Sequence, residues 1–392
     1  MNEISHPVLD RVRELAPKLR ERGPAHDAAR RLPDETAADL RDTGVMRLAQ
    51  PARYGGFEAD PRVFYECVLA IAAADGSSGW VTGIVGIHPW QIALCDDRLQ
   101  QEIWGNDPDT WVSSTYMPGG LVTPVDGGYR LSGRWNFSSG SDLCSWVILG
   151  TAAQVRDGTF GMGPQVVLPR SDYTVEDTWH TMGLRGTGSN DIVVDDVFVP
   201  DHHTVSFPSL NDGTAPGRVV STGPLYGMTF GALFANVITA PIIGMAEGMV
   251  AEAVEFYRTR QSVAFGKTLE KDPYTMAAIG EAAREVDACR LLLMRDIGDM
   301  YETAQAGTPL SMDQRIRGRR DQVVNAKRAL HAIDDLFDRA GAKAISTASP
   351  MQRLFRDAHA ARHHTALTPL EPALFGYAHN AMGLGPMGDP LA

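Results

Sequence analysis

The hydrophobic period of this chain changes twice, and that order restricts it to few architectures. Up to about residue 108 the spacing is helical. Val8, Val12, Leu15 and Leu19 lie three or four residues apart, along one face of an amphipathic helix. Asp60 ahead of Pro61 predicts an N-cap and a first-turn proline for a helix over Val63–Ala74, closed by Asp75-Gly76. From Thr110 to about Val199 the period falls to two. Asp126-Gly127 sits between alternating segments as a hairpin turn, and 145–151, 165–168 and 191–199 are rich in β-branched residues. After a Gly-, Pro- and Ser-rich connection, Phe207–Thr222, helical spacing returns in Ala240–Arg260, Tyr274–Ala306 and Asp313–Ala344. The order predicts a mainly α chain with a central β-domain. Residues 1–108 form an N-terminal helical domain, 109–215 the β-domain and 216–392 a C-terminal helical bundle.

Charge narrows the function. The net charge of −12 over 392 residues argues against a nucleic-acid binder, which needs a basic stripe to displace counterions. The densest basic run, Arg315, Arg317, Arg319 and Arg320, reads as a solvated face or a subunit contact. No uninterrupted apolar run approaches the ~20 residues of a bilayer span, so no membrane partner is expected. The N-terminus does not read as a secretory signal. Cys67, Cys95, Cys144 and Cys289 are scattered, which argues against a disulfide framework or a thiolate zinc site and points to a reducing cytoplasm.

Three apparent motifs fail on their context. Gly383-Leu-Gly385-Pro-Met-Gly388 has the spacing of a dinucleotide fingerprint, but only four residues follow it, too few for the required helix. Gly266-Lys267-Thr268 resembles the end of a phosphate-binding loop, yet Gln261 occupies the upstream glycine position. His359 and His363 are spaced to share a metal, but neither a HExxH nor paired Glu-x-x-His motifs accompany them, so no metal is expected.

Several stretches, taken in order, resemble the acyl-CoA dehydrogenase fold superfamily. They are Leu40–Gly56, Gly128–Trp135, Met182–Ser189, Val197–Pro200, and Arg260-Gln261 with Phe265-Gly266. The resemblance implies an N-terminal helical domain, a middle β-barrel or sandwich and a C-terminal four-helix bundle. It also implies a homotetramer, with Arg260, Phe265 and Gly266 reaching a neighbouring subunit's flavin. One fold hosts several chemistries, so the branch matters more. The dehydrogenases' Tyr-Glu-Gly-Thr setting for a catalytic glutamate is missing; the nearby carboxylate, Glu371, lies in Pro-Leu-Glu-Pro. Trp135–Asp142, Trp179–Ser189 and Phe355-Arg356-Asp357-Ala-His359 running into His363-His364 are instead similar to the oxygenase components of two-component flavin-dependent monooxygenases. That branch includes the 4-hydroxyphenylacetate 3-hydroxylase and the 3-hydroxy-9,10-secoandrostatrienedione 4-hydroxylase components.

Membership would make this chain a hydroxylase of a phenolic, polycyclic aromatic or polyketide substrate. It would use reduced FMN or FAD with O₂ as co-substrate, and a separate NAD(P)H:flavin reductase would supply the reduced flavin. Such an enzyme works through a flavin C4a-hydroperoxide, which survives while N5–H is held and water excluded. A hydroxyl accepts from N5–H without acting as a strong base. By the resemblance that hydroxyl is Ser139, with Ser138, Trp135 and Phe137 near the ring. A phenol reacts better as phenolate, and histidine suits the proton it gives up. His88 falls at the family's substrate-hydroxyl position; read alone, it would cap a helix that Pro89 breaks. His364 matches a histidine near flavin C4a that orients the peroxide or protonates its leaving oxygen, with His363 as the alternative. Ser114 falls in the substrate pocket. Gly227–Asn236 lacks a cation that the hydroxyphenylacetate enzyme carries, which suggests a greasier substrate. Two other readings remain: an N-oxygenase of an amino sugar or amine, and an acyl-CoA dehydrogenase.

Overall fold

The computed structural model describes residues 4–156, 159–259, 272–387, 389 and 391–392. Five helices come first: α1 (Pro7–Ala29), α2 (Asp34–Thr43), α3 (Pro61–Ala74), α4 (Gly76–Ile92) and α5 (Asp97–Trp104). Pro7 sits in the first turn of α1, which buries Val8, Val12 and Leu19. The Asp60 carboxylate accepts the Arg62 N–H at the start of α3 (2.9 Å), and Asp75 ends that helix and caps α4 through the Ser78 N–H (2.9 Å).

Among the described residues eight strands follow: β1 (Val112–Val125), β2 (Gly128–Ser138), β3 (Trp146–Arg156), β4 (Thr159–Met162), β5 (Gln165–Pro169), β6 (Thr174–Glu176), β7 (Asn190–Pro200) and β8 (Thr204–Val205). They form one sheet in the order β6-β7-β2-β1-β3-β5-β8, with β4 beside β3. The β1–β2 hairpin pairs Val125 with Gly128, and Gly127 takes the left-handed turn position. Every pairing is antiparallel except β1 with β3. Alternation splits the sheet's side chains between two cores. Val122, Leu131, Trp135, Val147, Leu149, Val166, Leu168, Ile192 and Val194 fill the β-domain's own interior. Val112, Ile148 and Val167 face the other way and join the helical core.

The chain then runs through α6 (Ser209–Asp212) into α7 (Phe230–Thr259), α8 (Pro273–Gln305), α9 (Met312–Ala340), α10 (Pro350–Ala361) and α11 (Glu371–Ala381). Helices α7 to α10 form the bundle, α11 lies on α9, and α3 and α4 pack on α7. The N-terminal and C-terminal helices therefore share one continuous core. All four cysteines are buried in the free form.

Three local expectations are corrected. Helix α7 starts at Phe230 rather than Ala240, with Pro241 in its interior. Burial of Phe230, Leu233, Val237 and Ile238 outweighs the ~3 kcal/mol an interior proline costs. This helix is long and apolar enough to cross a bilayer, but 89% of its apolar window is buried by the protein, so here it is the central core helix. Helix α4 runs through Pro89 to Ile92 instead of breaking there. The arginine run is not merely solvated. Arg319 is buried against Asp389 and the Ala366 carbonyl, Arg317 pairs with Asp296 and Asp299, Arg315 reaches the Ala392 carbonyl, and Arg320 pairs with Asp321 and covers the Tyr377 ring.

Candidate active site

Helix α4 is the spine of the site. All of its residues are buried, which fits its apolar character on every side. Trp80 and His88 are eight residues apart, so they share a face roughly 12 Å apart along the axis. At one end the Trp80 indole Nε1–H donates to Ser139 Oγ (3.0 Å). At the other the His88 ring lies 2.5 Å from the Val112 carbonyl through Nδ1. Between them Val81 and Val85 approach Gly140, whose φ of +70° turns the chain out of β2.

Ser139 ends a directed chain of hydroxyls. Thr187 Oγ1 donates to the Leu184 carbonyl (2.8 Å), which uses its only proton. Ser189 must then donate to Thr187 (2.6 Å), and Ser139 to Ser189 (2.9 Å). With its proton committed and one lone pair facing Trp80, Ser139 keeps a single lone pair for a further donor. Ser138 Oγ is fully buried with no partner.

The opposite end is a base in an aromatic enclosure. A carbonyl can only accept, so His88 Nδ1 carries the proton and Nε2 holds the free lone pair. That Nε2 is buried with no partner. Burial lowers the imidazole to a pKa of about 4, so it is neutral at physiological pH. Tyr116 stands edge-on at 6.2 Å, and its ring meets Phe230 (5.1 Å) and Phe234 (4.6 Å). The Tyr116 hydroxyl donates to Gln91 Oε1 (2.7 Å). Ser114 is buried on the same sheet face as Val112, by its pairing with Ile148. The uncharged 227–236 segment thus supplies two aromatic rings against Tyr116, which itself meets His88.

His364 follows α10 and joins the Ser139 end, its ring 5.9 Å from that of Trp80. Its Nδ1 accepts the Ala366 N–H (3.1 Å), which leaves the proton on Nε2. Burial lowers this histidine to about 4 as well. His363 is exposed. His359 bonds Asp334 (2.6 Å) and lies against Phe355. Among the described residues one group has metal-ligand character, Glu102 with His202 and His203; the two imidazoles hold separate carboxylate oxygens at 2.8 and 2.7 Å. It ties α5 to the turn after β7.

Other expected contacts differ. Trp135 points into the β-domain interior and donates Nε1–H to the Gly150 carbonyl (2.6 Å), so at 1% exposure its side chain has no surface left for a flavin ring. A bulge after Trp135 changes the register, and Phe137 emerges with φ +71°, 65% exposed and edge-on to Trp179. Arg260, Phe265 and Gly266 lie outside the described residues. Glu371 is exposed in the first turn of α11. Trp80 and Tyr116 were not anticipated; the eight-residue spacing of Trp80 from His88 was the available signal for the first.

The residues fit a reduced flavin. One hydroxyl has a free lone pair, a second has no partner, and Phe137, next to Ser138 in the chain, leaves apolar surface exposed. The description "Acyl-CoA dehydrogenase, C-terminal domain" matches residues 236–369. The flavin-dependent monooxygenase oxygenase subunit HsaA of Mycobacterium tuberculosis is 43% identical over 98% of this chain and 97% of its own. The FADH(2)-dependent resorcinol hydroxylase oxygenase component of a Rhizobium species is 31% identical over 94% of this chain and 95% of its own. The crystal structure of 3-HSA hydroxylase from Rhodococcus sp. RHA1 is similar at a TM-score of 0.94 and 42% identity, covering 99% of both chains. The chain therefore belongs to the flavin-dependent monooxygenases of the acyl-CoA dehydrogenase fold, as a reduced-flavin-dependent oxygenase component.

Proposed function

We propose that the substrate is a phenol carried on a larger apolar skeleton and that His88 accepts its hydroxyl proton. The carrying observation is His88 Nε2, a buried lone pair without a donor. A phenol O–H satisfies it, and the neutral imidazole withdraws the proton as the ring is attacked. Tyr116, Phe230 and Phe234 enclose an aromatic skeleton, and no arginine or lysine lies in 227–236 to hold a small anionic phenol. The relative named for resorcinol supports the phenolic class.

Reduced flavin, when bound, activates O₂ and transfers one oxygen atom to the ring. In this reading Ser139 accepts from the flavin N5–H with its remaining lone pair, Ser138 offers a second hydroxyl, and Phe137 covers the ring. His364 presents Nε2–H from the bundle; as a neutral group it positions by donating a hydrogen bond. Ser114 lines the substrate end. FAD is favoured over FMN by the FADH(2)-dependent relative. Exposed Phe375 and Met382, on and just after α11, are offered as subunit contacts of a homotetramer, and the electron donor is an NAD(P)H:flavin reductase.

The test compares a bulky phenol with its O-methyl ether, using enzyme, reduced flavin and O₂. The phenol should be hydroxylated and the ether should not, with the ether's oxygen equivalent appearing as hydrogen peroxide. Equal hydroxylation of both would overturn the proposal.

A further inference from the structure

We propose that Asp357 is a positioning residue for the Ser139 hydroxyl, acting through the Leu184 backbone, Thr187 and Ser189. Asp357 lies on α10, and its hydrogen bond goes to the Leu184 backbone rather than to a side chain of the Ser139 end. Its Oδ1 accepts the Leu184 N–H at 2.6 Å, in a fully buried setting. Leu184 holds a φ of +49°, a left-handed conformation that a branched aliphatic residue adopts only when its surroundings impose it.

The rest of α10 helps to impose it. The Arg356 guanidinium donates to the Met182 carbonyl (2.6 Å) and is anchored by Asp27 (3.1 and 3.2 Å). Gly183 passes so close to α10 that a Cβ there would lie 2.0 Å from the Arg356 carbonyl. So held, the Leu184 carbonyl faces the Trp179 indole (2.7 Å) and the Thr187 hydroxyl (2.8 Å). The acceptance by Leu184 sets the direction of the two following hydroxyls, and so decides that Ser139 donates to Ser189 and retains a lone pair. The circuit closes through Trp80, which donates to Ser139 and packs against His364, carried just beyond the same helix. Without the Asp357 contact, Leu184 is free to relax and its carbonyl to turn, and Ser139 can reverse its proton.

The functional consequence rests on Ser139 being the hydroxyl that meets the flavin, but the relay itself is testable in flavin-free protein. With ¹⁵N-labelled tryptophan, the Trp80 and Trp179 indole N–H resonances are assigned by phenylalanine substitution. Asp357→Ala should shift both, whereas Asp357→Asn, whose amide oxygen still accepts, should leave both near their original positions. Thr187→Val should shift Trp80. It carries the test if Asp357→Ala does not fold. In turnover, Asp357→Ala should raise peroxide release severalfold with KM for the aromatic substrate unchanged, and Asp357→Asn should restore coupling. An unmoved Trp80 resonance in folded Asp357→Ala, or in Thr187→Val, would overturn the relay. A shifted Trp80 with no loss of coupling in Ser139→Ala would instead leave the relay standing and remove the flavin assignment of Ser139.

Discussion

The Val112 carbonyl lies 2.5 Å from Nδ1 of His88 and so determines which nitrogen of that imidazole is basic. The proton sits on Nδ1 and the lone pair on Nε2. Because burial lowers this histidine to about 4, the proposed base is already neutral throughout the neutral range. Hydroxylation should show no ionisation from His88 between about pH 5.5 and 8. Substitution by alanine should slow product formation on the order of 10²-fold, the lower range of general-base effects, while flavin reoxidation changes little. Single-turnover product yields across this pH range check both statements. A depressed histidine pKa also destabilises in acid, because the unfolded chain takes up a proton near its ordinary value of about 6.5. The fall in Tm between pH 7 and 5 should therefore be smaller in His88→Gln than in the parent.

Ser139→Ala removes an acceptor that is also the end of a polarised chain. Loss of one hydrogen bond of about 1 kcal/mol corresponds to roughly a fivefold change in a rate or a partition. Peroxide released per reduced flavin should rise by about that factor, with little effect on aromatic-substrate affinity. A peroxide assay beside product quantification measures the partition directly. Trp80→Phe should act in the same direction and more weakly, because Ser139 keeps its lone pairs and loses only a fixed neighbour.

Local rules made the fold readable and left half of the site hidden. Asp60-Pro61, Asp126-Gly127 and the alternation in β3 and β7 each act within a few residues, so their elements fell where expected. Pro89 misled because a local helix penalty was weighed without the burial that offsets it. His88 and Ser139 stood in recognisable stretches, but their chemistry depends on partners distant in sequence. Val112 is 24 residues from His88 and Trp80 is 59 from Ser139. Trp135 shows the converse. A tryptophan inside a resembling stretch drew a ring contact, but strand alternation sends it into the other core.

Asp357 predicts a stability that depends on pH in the opposite sense to His88. Burial and the neighbouring Asp75 push its carboxyl up to about 7, with Arg356 working against the shift and Asp27 adding to it. The folded protein thus holds a proton that the unfolded chain releases near pH 4. This contribution is complete below about pH 4 and is lost as pH rises to about 7. Asp357→Asn, which cannot ionise, should gain stability over the parent as pH rises through that window, by at most about 1.4 kcal/mol for each unit crossed. Urea denaturation at pH 5 and pH 8 checks this, with the larger difference expected at pH 8.

Gly183 offers a purely steric test of the contact between α10 and the loop. Its backbone does not require glycine by its φ, which lies outside the left-handed region, so alanine there meets no torsional penalty. What it meets is the Arg356 carbonyl oxygen at 2.0 Å and the Asp357 nitrogen at 2.8 Å. Both are helix backbone, which cannot swing aside as a side chain would, so the loop must retreat from α10. Retreat stretches the Leu184 N–H away from Asp357 and turns the carbonyl that receives Thr187 and Trp179. Gly183→Ala should therefore cost about 1–3 kcal/mol, as overpacking does, and should uncouple turnover in the manner of Asp357→Ala. Gly280→Ala, on the exposed side of α8 with no atom within 4 Å of the added Cβ, serves as the control. It should gain about 0.5–1 kcal/mol from helix propensity and leave coupling untouched. Equal effects of the two substitutions, in denaturation and in peroxide release, would show that the close approach at Gly183 does not hold the loop.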